Sequence, residues 1–292
     1  MIISVASGKG GTGKTTVTAS LATVWDGPLV AVDLDVEEPN LHLFLNPEIE
    51  GSETAYITVP VVDEARCTYC GACSELCQFK AISVMGQVLL TFPEMCHGCG
   101  GCLAVCPEQA ISPGQRDLGE ISWGKTGRGG FLTGKLRLGE AMSPPLMRQV
   151  KARLTQMLAT GGDALIDAPP GVSCPAVNAV IDSDVILLVT EPTPFGFHDF
   201  RLAWQAFAPL GKPMGAVVNR AGLGHEAIYR FCAEQGLPIL AEIPYDRAIA
   251  EAYARGRIIA DVSAGLQETF VSLMNKIRDL AEPGCPRQAA HA

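Results

Sequence analysis

Residues 2–16 read IISVASGKGGTGKTT. An apolar run leads into a glycine-rich loop, and a Lys-Thr pair opens the segment after it. Residues 8–15 fit the pattern G-x-x-x-x-G-K-[ST], in the strand–loop–helix setting that gives this pattern its meaning. Gly8, Gly10, Gly11 and Gly13, with Thr12 carried between them, let backbone N–H groups turn inward around phosphate oxygens. The start of the following helix adds partial positive charge. Lys14 is placed to reach the β- and γ-phosphates and the Thr15 hydroxyl to hold Mg²⁺, with Thr16 beside them. The expected ligand is a nucleoside triphosphate.

Working outward, further apolar runs cover 2–7, 29–33, 164–167, 185–190, 216–219 and 239–243. They lack polar alternation, as expected of parallel strands buried on both faces. Helical segments such as 14–25, 145–158 and 225–235 fall between them. Strand and helix in alternation predict an α/β fold, a doubly wound, mostly parallel sheet of the P-loop NTPase kind. The rhythm breaks at 63–111, which is dense in Cys and Gly and repeats itself internally. Residues 112–143 are glycine-rich and read as a hairpin-containing return path. The expected division is one discontinuous P-loop domain, 1–62 and 112–282, around a small α+β insert at 63–111, with a flexible tail at 283–292. The last helix, 264–281, carries Leu266, Phe270, Leu273, Met274, Ile277 and Leu280 on one stripe. That stripe suits packing against the sheet. Membrane-surface binding is the alternative, although its polar face is not strongly basic.

Of the 292 residues, 48% are hydrophobic, enough for a sizeable core, and 6% are aromatic, which speaks against base stacking. A net charge of −9 gives no general pull toward nucleic acid or an anionic membrane, so neither is an expected partner. No basic leader and no membrane-length apolar stretch is present in the sequence, so the expected location is the cytoplasm.

The chain has 11 cysteines. In a reducing compartment, clustered cysteines are read as metal ligands. Cys67, Cys70, Cys73 and Cys77 follow C-x2-C-x2-C-x3-C, and Cys96, Cys99, Cys102 and Cys106 repeat the pattern, with Pro107 after the last. Two such runs suit two 4Fe–4S clusters, the fourth cysteine of each run crossing to the other cluster. Cys67, Cys70, Cys73 and Cys106 are thus assigned to one cluster, and Cys96, Cys99, Cys102 and Cys77 to the second. The first run ends in Cys-Gln, a departure from the usual Cys-Pro. Zinc would favour paired C-x2-C half-sites separated by longer loops. The 63–111 stretch resembles bacterial two-cluster ferredoxins over its whole length. His97, inside the second run, could tune a cluster or simply face solvent. Cys174 lies near a switch-like turn and reads as a ligand or as a small core residue. Cys232 fits a buried helical position, and Cys285 falls in the tail. Residues 116–153 carry Arg116, Lys125, Arg128, Lys135, Arg137, Arg148, Lys151 and Arg153, either a docking surface for an acidic redox partner or a solvated face.

Lys9, directly after the first loop glycine, completes a resemblance to the deviant-Walker group of P-loop ATPases, the MinD-like and Mrp-like members of the SIMIBI class. That group spans cell-division and partitioning ATPases, the nitrogenase iron protein and iron–sulfur scaffold ATPases. The chain as a whole resembles its members that carry an inserted ferredoxin domain. The resemblance implies ATP or ADP with Mg²⁺ as ligand and slow, partner-stimulated hydrolysis. It implies a dimer, with itself or with a paralogous ATPase, in which Lys9 reaches the partner's nucleotide. It further implies that Asp35, in VDLD, orients the attacking water and that Asp33 supports the metal's outer shell. Asp167, in IDAPPG, falls near Mg²⁺, residues 169–171 including Gly171 sense the γ-phosphate, and Asn219 reads the purine. Two functions follow. In the first, ATP-driven dimer closure is coupled to electron transfer or to cluster assembly and delivery, with a redox or cluster-client protein as partner. In the second, the chain is a positioning or scaffolding ATPase whose clusters are structural or redox-sensing. An amidase would need a glutaminase-like Cys–His site or a second substrate domain, and neither is recognisable.

Overall fold

The computed structural model describes residues 1–224 and 226–282. His225, Cys285 and the tail expected at 283–292 lie outside the described residues.

The first strand, β1 (Ile2–Ala6), runs through the glycine loop into α1 (Lys14–Val24), and β2 (Leu29–Asp33) follows. A short α2 (His42–Leu45) leads into the long strand β3 (Glu48–Val62). Next come α3 (Ala72–Leu76), the hairpin β4 (Ile82–Met85) and β5 (Val88–Thr91), and α4 (Gly101–Ala104). The long strand β6 (Ile111–Thr126) returns and turns into β7 (Gly129–Leu136). From there strand and helix alternate: α5 (Ser143–Met157), β8 (Asp163–Asp167), α6 (Cys174–Val180), β9 (Val185–Thr190) and α7 (Pro194–Phe207). Then follow β10 (Met214–Ala221), α8 (Ala227–Glu234), β11 (Ile239–Pro244), α9 (Arg247–Ala254) and α10 (Ala264–Ala281).

Among the described residues, nine strands form one sheet in the order β11-β10-β9-β1-β8-β2-β7-β6-β3. From β11 to β7 neighbouring strands pair in parallel. The last two pairings, β7 with β6 and β6 with β3, are antiparallel. The mostly parallel α/β sheet expected from the apolar runs is therefore present, and the hairpin in residues 112–143 is β6–β7.

Alternate residues of the central strands feed two cores, as the period-2 geometry of a strand requires. Val30 and Val32 point to the layer that holds Leu146, Val150, Ala179, Phe200 and Phe207, from α5, α6 and α7. Leu29 and Ala31 point to the layer of α1 and α10, with Val17, Leu21, Phe270, Leu273 and Ile277. The stripe on α10 is thus spent on the sheet, which decides between the two readings of that helix. Among the described residues no helix is long and apolar enough to cross a membrane.

The 63–111 stretch hangs from the edge of this sheet. Val62 pairs with Ile111, and the Asp63 N–H donates to the Ala110 carbonyl at 2.8 Å. Its own buried core is small: Cys73, Ile82 and Ile111.

Candidate nucleotide and cysteine sites

The glycine loop lies at the carboxyl end of β1, where ligands bind in open parallel sheets. Two of its glycines, Gly8 and Gly13, are required by close approach. A Cβ on Gly8 would stand 1.9 Å from the Asp199 carbonyl oxygen within α7. Gly13 has φ +96°, and a Cβ there would meet the Asn219 amide at 2.3 Å. A cavity of about 400 Å³ opens above the loop, lined by Gly10, Gly11, Gly13, Lys14, Thr15, Thr16, Asp35 and Asn219.

Each expected site residue has a definite place. Lys14 is buried at the start of α1. The Thr15 hydroxyl donates to Asp167 Oδ2 at 2.5 Å. Hydroxyl and carboxylate together are the hard oxygen donors that suit Mg²⁺. Burial, opposed by Lys14 and the hydroxyls of Thr15 and Thr18, holds Asp167 at about 6. Burial also raises Asp35 to about 6, Lys14 opposing and Asp167 reinforcing it. Asp33 is raised well above its ordinary value, by burial and then by the charge of Asp167. It does not line the cavity. Its carboxylate accepts the Leu41 N–H at 2.8 Å and the Asp35 N–H at 3.2 Å, which fixes the loop that presents Asp35. The Gly171 N–H donates to the Ser7 carbonyl at 2.9 Å, so the turn after β8 is tied to the phosphate loop. Asn219 holds that loop from the other side: its amide donates to the Thr12 carbonyl at 2.8 Å and its carbonyl accepts the Arg220 N–H at 2.9 Å. One amide proton and one lone pair remain for a base.

Lys9 turns away from the cavity within its own chain. Its ammonium contacts Glu191 Oε1 at 2.7 Å, and Arg220 Nη1 contacts Glu191 Oε2 at 2.7 Å. The sequence reading missed Glu191, although it follows the end of β9 much as Asp35 follows β2 and Asp167 closes β8. It also missed the far wall of the cavity, where Phe44 and Tyr253 stand with ring centroids 5.6 Å apart. Those side chains come from short helices with no motif of their own.

The cysteines fall into two groups. Cys67, Cys70, Cys73 and Cys106 line one small cavity together with Val84, Leu89 and Ile111. Cys77, Cys96, Cys99 and Cys102 line another of about 310 Å³, with Thr58, Leu76, Phe79 and His97. These are the two sets expected from the crossing rule for the fourth cysteine. His97 stacks on Phe79 with centroids 3.4 Å apart. Burial pushes the Cys73 and Cys102 thiols upward. Among the described residues, no three His, Cys, Asp or Glu form a group that could hold one metal ion. A zinc ion gathers its sulfurs to about 2.3 Å from one point. Thiolates are the donors that iron–sulfur clusters take, and Gly71, Gly98 and Gly100 beside these cysteines have positive φ.

Two further described cysteines, Cys174 and Cys232, line neither cavity. Cys174 is exposed at the start of α6. Cys232 is buried in α8 and its thiol is pushed up to about 12. The basic stretch is half consumed by internal partners. Arg116 pairs with Glu140, Lys125 with Glu50 and Lys151 with Asp182, while Arg153 lies 3.6 Å over the Trp123 ring.

A phosphate loop at the switch edge of a parallel sheet, with acids at neighbouring strand ends, defines a P-loop nucleotide-binding protein. Residues 3–259 match the family described as the CobQ/CobB/MinD/ParA nucleotide binding domain, and the chain belongs to that family, whose fold is that of nucleotide-binding ATPases. It is similar to the uncharacterized protein MJ0579 of Methanocaldococcus jannaschii, 32% identical over 267 residues, covering 88% of this chain and 90% of that one. Among solved structures it is similar to the septum site-determining protein MinD of Pyrococcus horikoshii complexed with Mg-ADP, at 22% identity and TM-score 0.60, with 96% of each chain covered. The cell division ATPase MinD of Pyrococcus furiosus is 25% identical at TM-score 0.58, covering 96% of this chain and 98% of that one.

Proposed function

We propose that the chain is a MinD/ParA-like ATPase that changes its association with a partner according to its nucleotide, a positioning or scaffolding activity, and that segment 63–111 holds two 4Fe–4S clusters. The observation that carries the first part is the convergence of Lys14, Thr15, Asp35 and Asp167 at one edge of the sheet. Lys14 and the N–H groups of the loop bind the phosphates. Thr15 holds Mg²⁺, and Asp167 orients the Thr15 hydroxyl. Asp35, carried on the loop that Asp33 braces, aligns the attacking water. Asn219 fixes the loop and offers its remaining amide proton and lone pair to the base. Lys9 leaves Glu191 to reach the nucleotide of a second copy, or of a paralogue, and adds positive charge where phosphate charge develops.

Cys67, Cys70, Cys73 and Cys106 hold one cluster, and Cys77, Cys96, Cys99 and Cys102 hold the other. When bound, the clusters supply one-electron redox chemistry and hold a segment that has little apolar core of its own. One observation favours the other function, ATP-coupled electron transfer or cluster delivery. Each cysteine set has one exposed member, Cys70 in the first and Cys99 in the second, so each offers a route to a redox or client protein.

The experiment is anaerobic purification with iron and sulfide counting and EPR spectroscopy, on the natural chain and on Lys14→Ala. The expected result is about eight irons per chain in both proteins, with ATP hydrolysis lost only in the variant. A chain without iron refutes the cluster assignment, and hydrolysis retained by Lys14→Ala refutes the nucleotide site. Partner sedimentation that depends on ATP, with dithionite reduction that does not, separates scaffolding from ATP-gated electron transfer.

A further inference from the structure

One helix touches both segments that flank the nucleotide and also the strand behind the second cysteine set. The first contact is at the start of α5, where the Ser143 hydroxyl donates to Glu37 Oε1 at 3.1 Å, two residues beyond Asp35. Just before this helix, the Leu136 N–H donates to the Val36 carbonyl at 2.8 Å. The second contact is on the far side, where Lys151 donates to the Asn178 carbonyl and pairs with Asp182, each at 2.6 Å. Asn178 belongs to α6, the helix that follows the Gly171 turn. The third contact is between them, where Gln149 Nε2 donates to the Tyr56 carbonyl of β3 at 3.0 Å.

Two residues further along β3, the Thr58 carbonyl lies 3.8 Å from Cys96 Sγ. The loop between Cys96 and Cys99 packs so closely there that a Cβ on Gly98 would stand 2.6 Å from the Ile57 side chain. The first cysteine set is farther from this contact. Its cavity is lined from within 63–111, and β3 reaches the small core around Cys73 only through Val62, the last residue of the strand and six residues beyond Tyr56.

We propose that α5 transmits the nucleotide state to the second cysteine set, and not to the first, with Gln149 as the positioning residue between α5 and β3. Packed elements with hydrogen-bonded ends move as bodies, so a shift of the turn after Asp167 or of the segment after Asp35 reaches β3 through this helix. The proposal rests on the reading of the site given above. It adds an asymmetry that this reading does not contain: one cluster position feels ATP and the other does not.

The test is hydrogen exchange followed by mass spectrometry on the full chain, purified without oxygen. Mg·ADP is compared with Mg²⁺ and a non-hydrolysable ATP analogue. Exchange at residues 94–103 is expected to change about threefold or more between the two nucleotides, a size typical of coupled sites. Exchange at residues 66–73 is expected to stay level. Gln149→Ala should abolish the response at 94–103 while hydrolysis continues at the natural rate. Gln149→Glu, which keeps the shape and removes the donor, should do the same. Equal responses in both cysteine loops, or an undiminished response in the Gln149 variants, overturn the proposal. Nucleotide protection at residues 8–16 without any response at 94–103 overturns it and leaves the nucleotide site standing. Lack of protection at residues 8–16 overturns both.

Discussion

Three aspartates stand close together at the end of β2 and β8, and their burial has a consequence for stability. Asp35 and Asp167 titrate near 6 in the folded chain against an ordinary value of 3.8. The folded state therefore holds their protons more tightly than the unfolded state does. Their ionisation opposes folding, fully above pH about 6 and fading toward pH 3.8. Glu140 and Glu191 work the other way, because Arg116 and Lys9 hold them below their ordinary 4.5, but their window lies beneath 4.5. Between pH 7 and 5 the aspartates set the sign. The melting temperature of the nucleotide-free protein should rise as pH falls through that range, and Asp35→Asn should flatten the rise. Thermal melts of both proteins at pH 5, 6 and 7 measure this, and equal slopes would remove Asp35 from the account. The same variant should keep nucleotide binding and lose about 10²- to 10⁴-fold in hydrolysis, the usual contribution of a group that positions or deprotonates the nucleophile.

At the scale of elements, α10 shows how the sheet is closed on one face. Phe270 is fully buried between α1 and the sheet. Phe270→Ala should destabilise the chain by about 3–5 kcal/mol through lost contact and the cavity left behind. Urea unfolding measures this, and a loss under about 1 kcal/mol would mean that the site collapses freely. The strands buried on both faces were legible because a continuous apolar run leaves few alternatives, and 29–33 and 185–190 match β2 and β9 residue for residue. The strand β3 was not legible. Its burial alternates with long polar stretches, and Gly51 and Pro60 interrupt it. Pro113, Gly114 and Gly119 blur β6 in the same way. These two strands form because each has the other as a neighbour, which no local pattern reveals. The nucleotide residues were readable as motifs, whereas the bond from Asn219 to Thr12 joins positions 207 apart and appears only on folding.

At the scale of the whole molecule, the chain leaves the sheet after Val62 and rejoins it at Ile111, at paired positions on neighbouring strands. Replacing residues 63–110 by Asn-Gly, the two-residue turn that suits a tight hairpin, should therefore leave a folded protein that binds Mg·ATP and contains no iron. Isothermal titration with ATP and an iron assay check this. A shortened chain that cannot bind nucleotide would show that the interrupting segment is part of the ATPase fold itself.

For the sheet, those intervening residues are one loop with pinned ends, and lengthening a loop costs only about 0.6 kcal/mol for each doubling. A fold arranged in this way can exchange what it carries at that edge for cargo of another size or chemistry. The phosphate loop, on a strand five places from that edge in the sheet, need not be rebuilt to suit it.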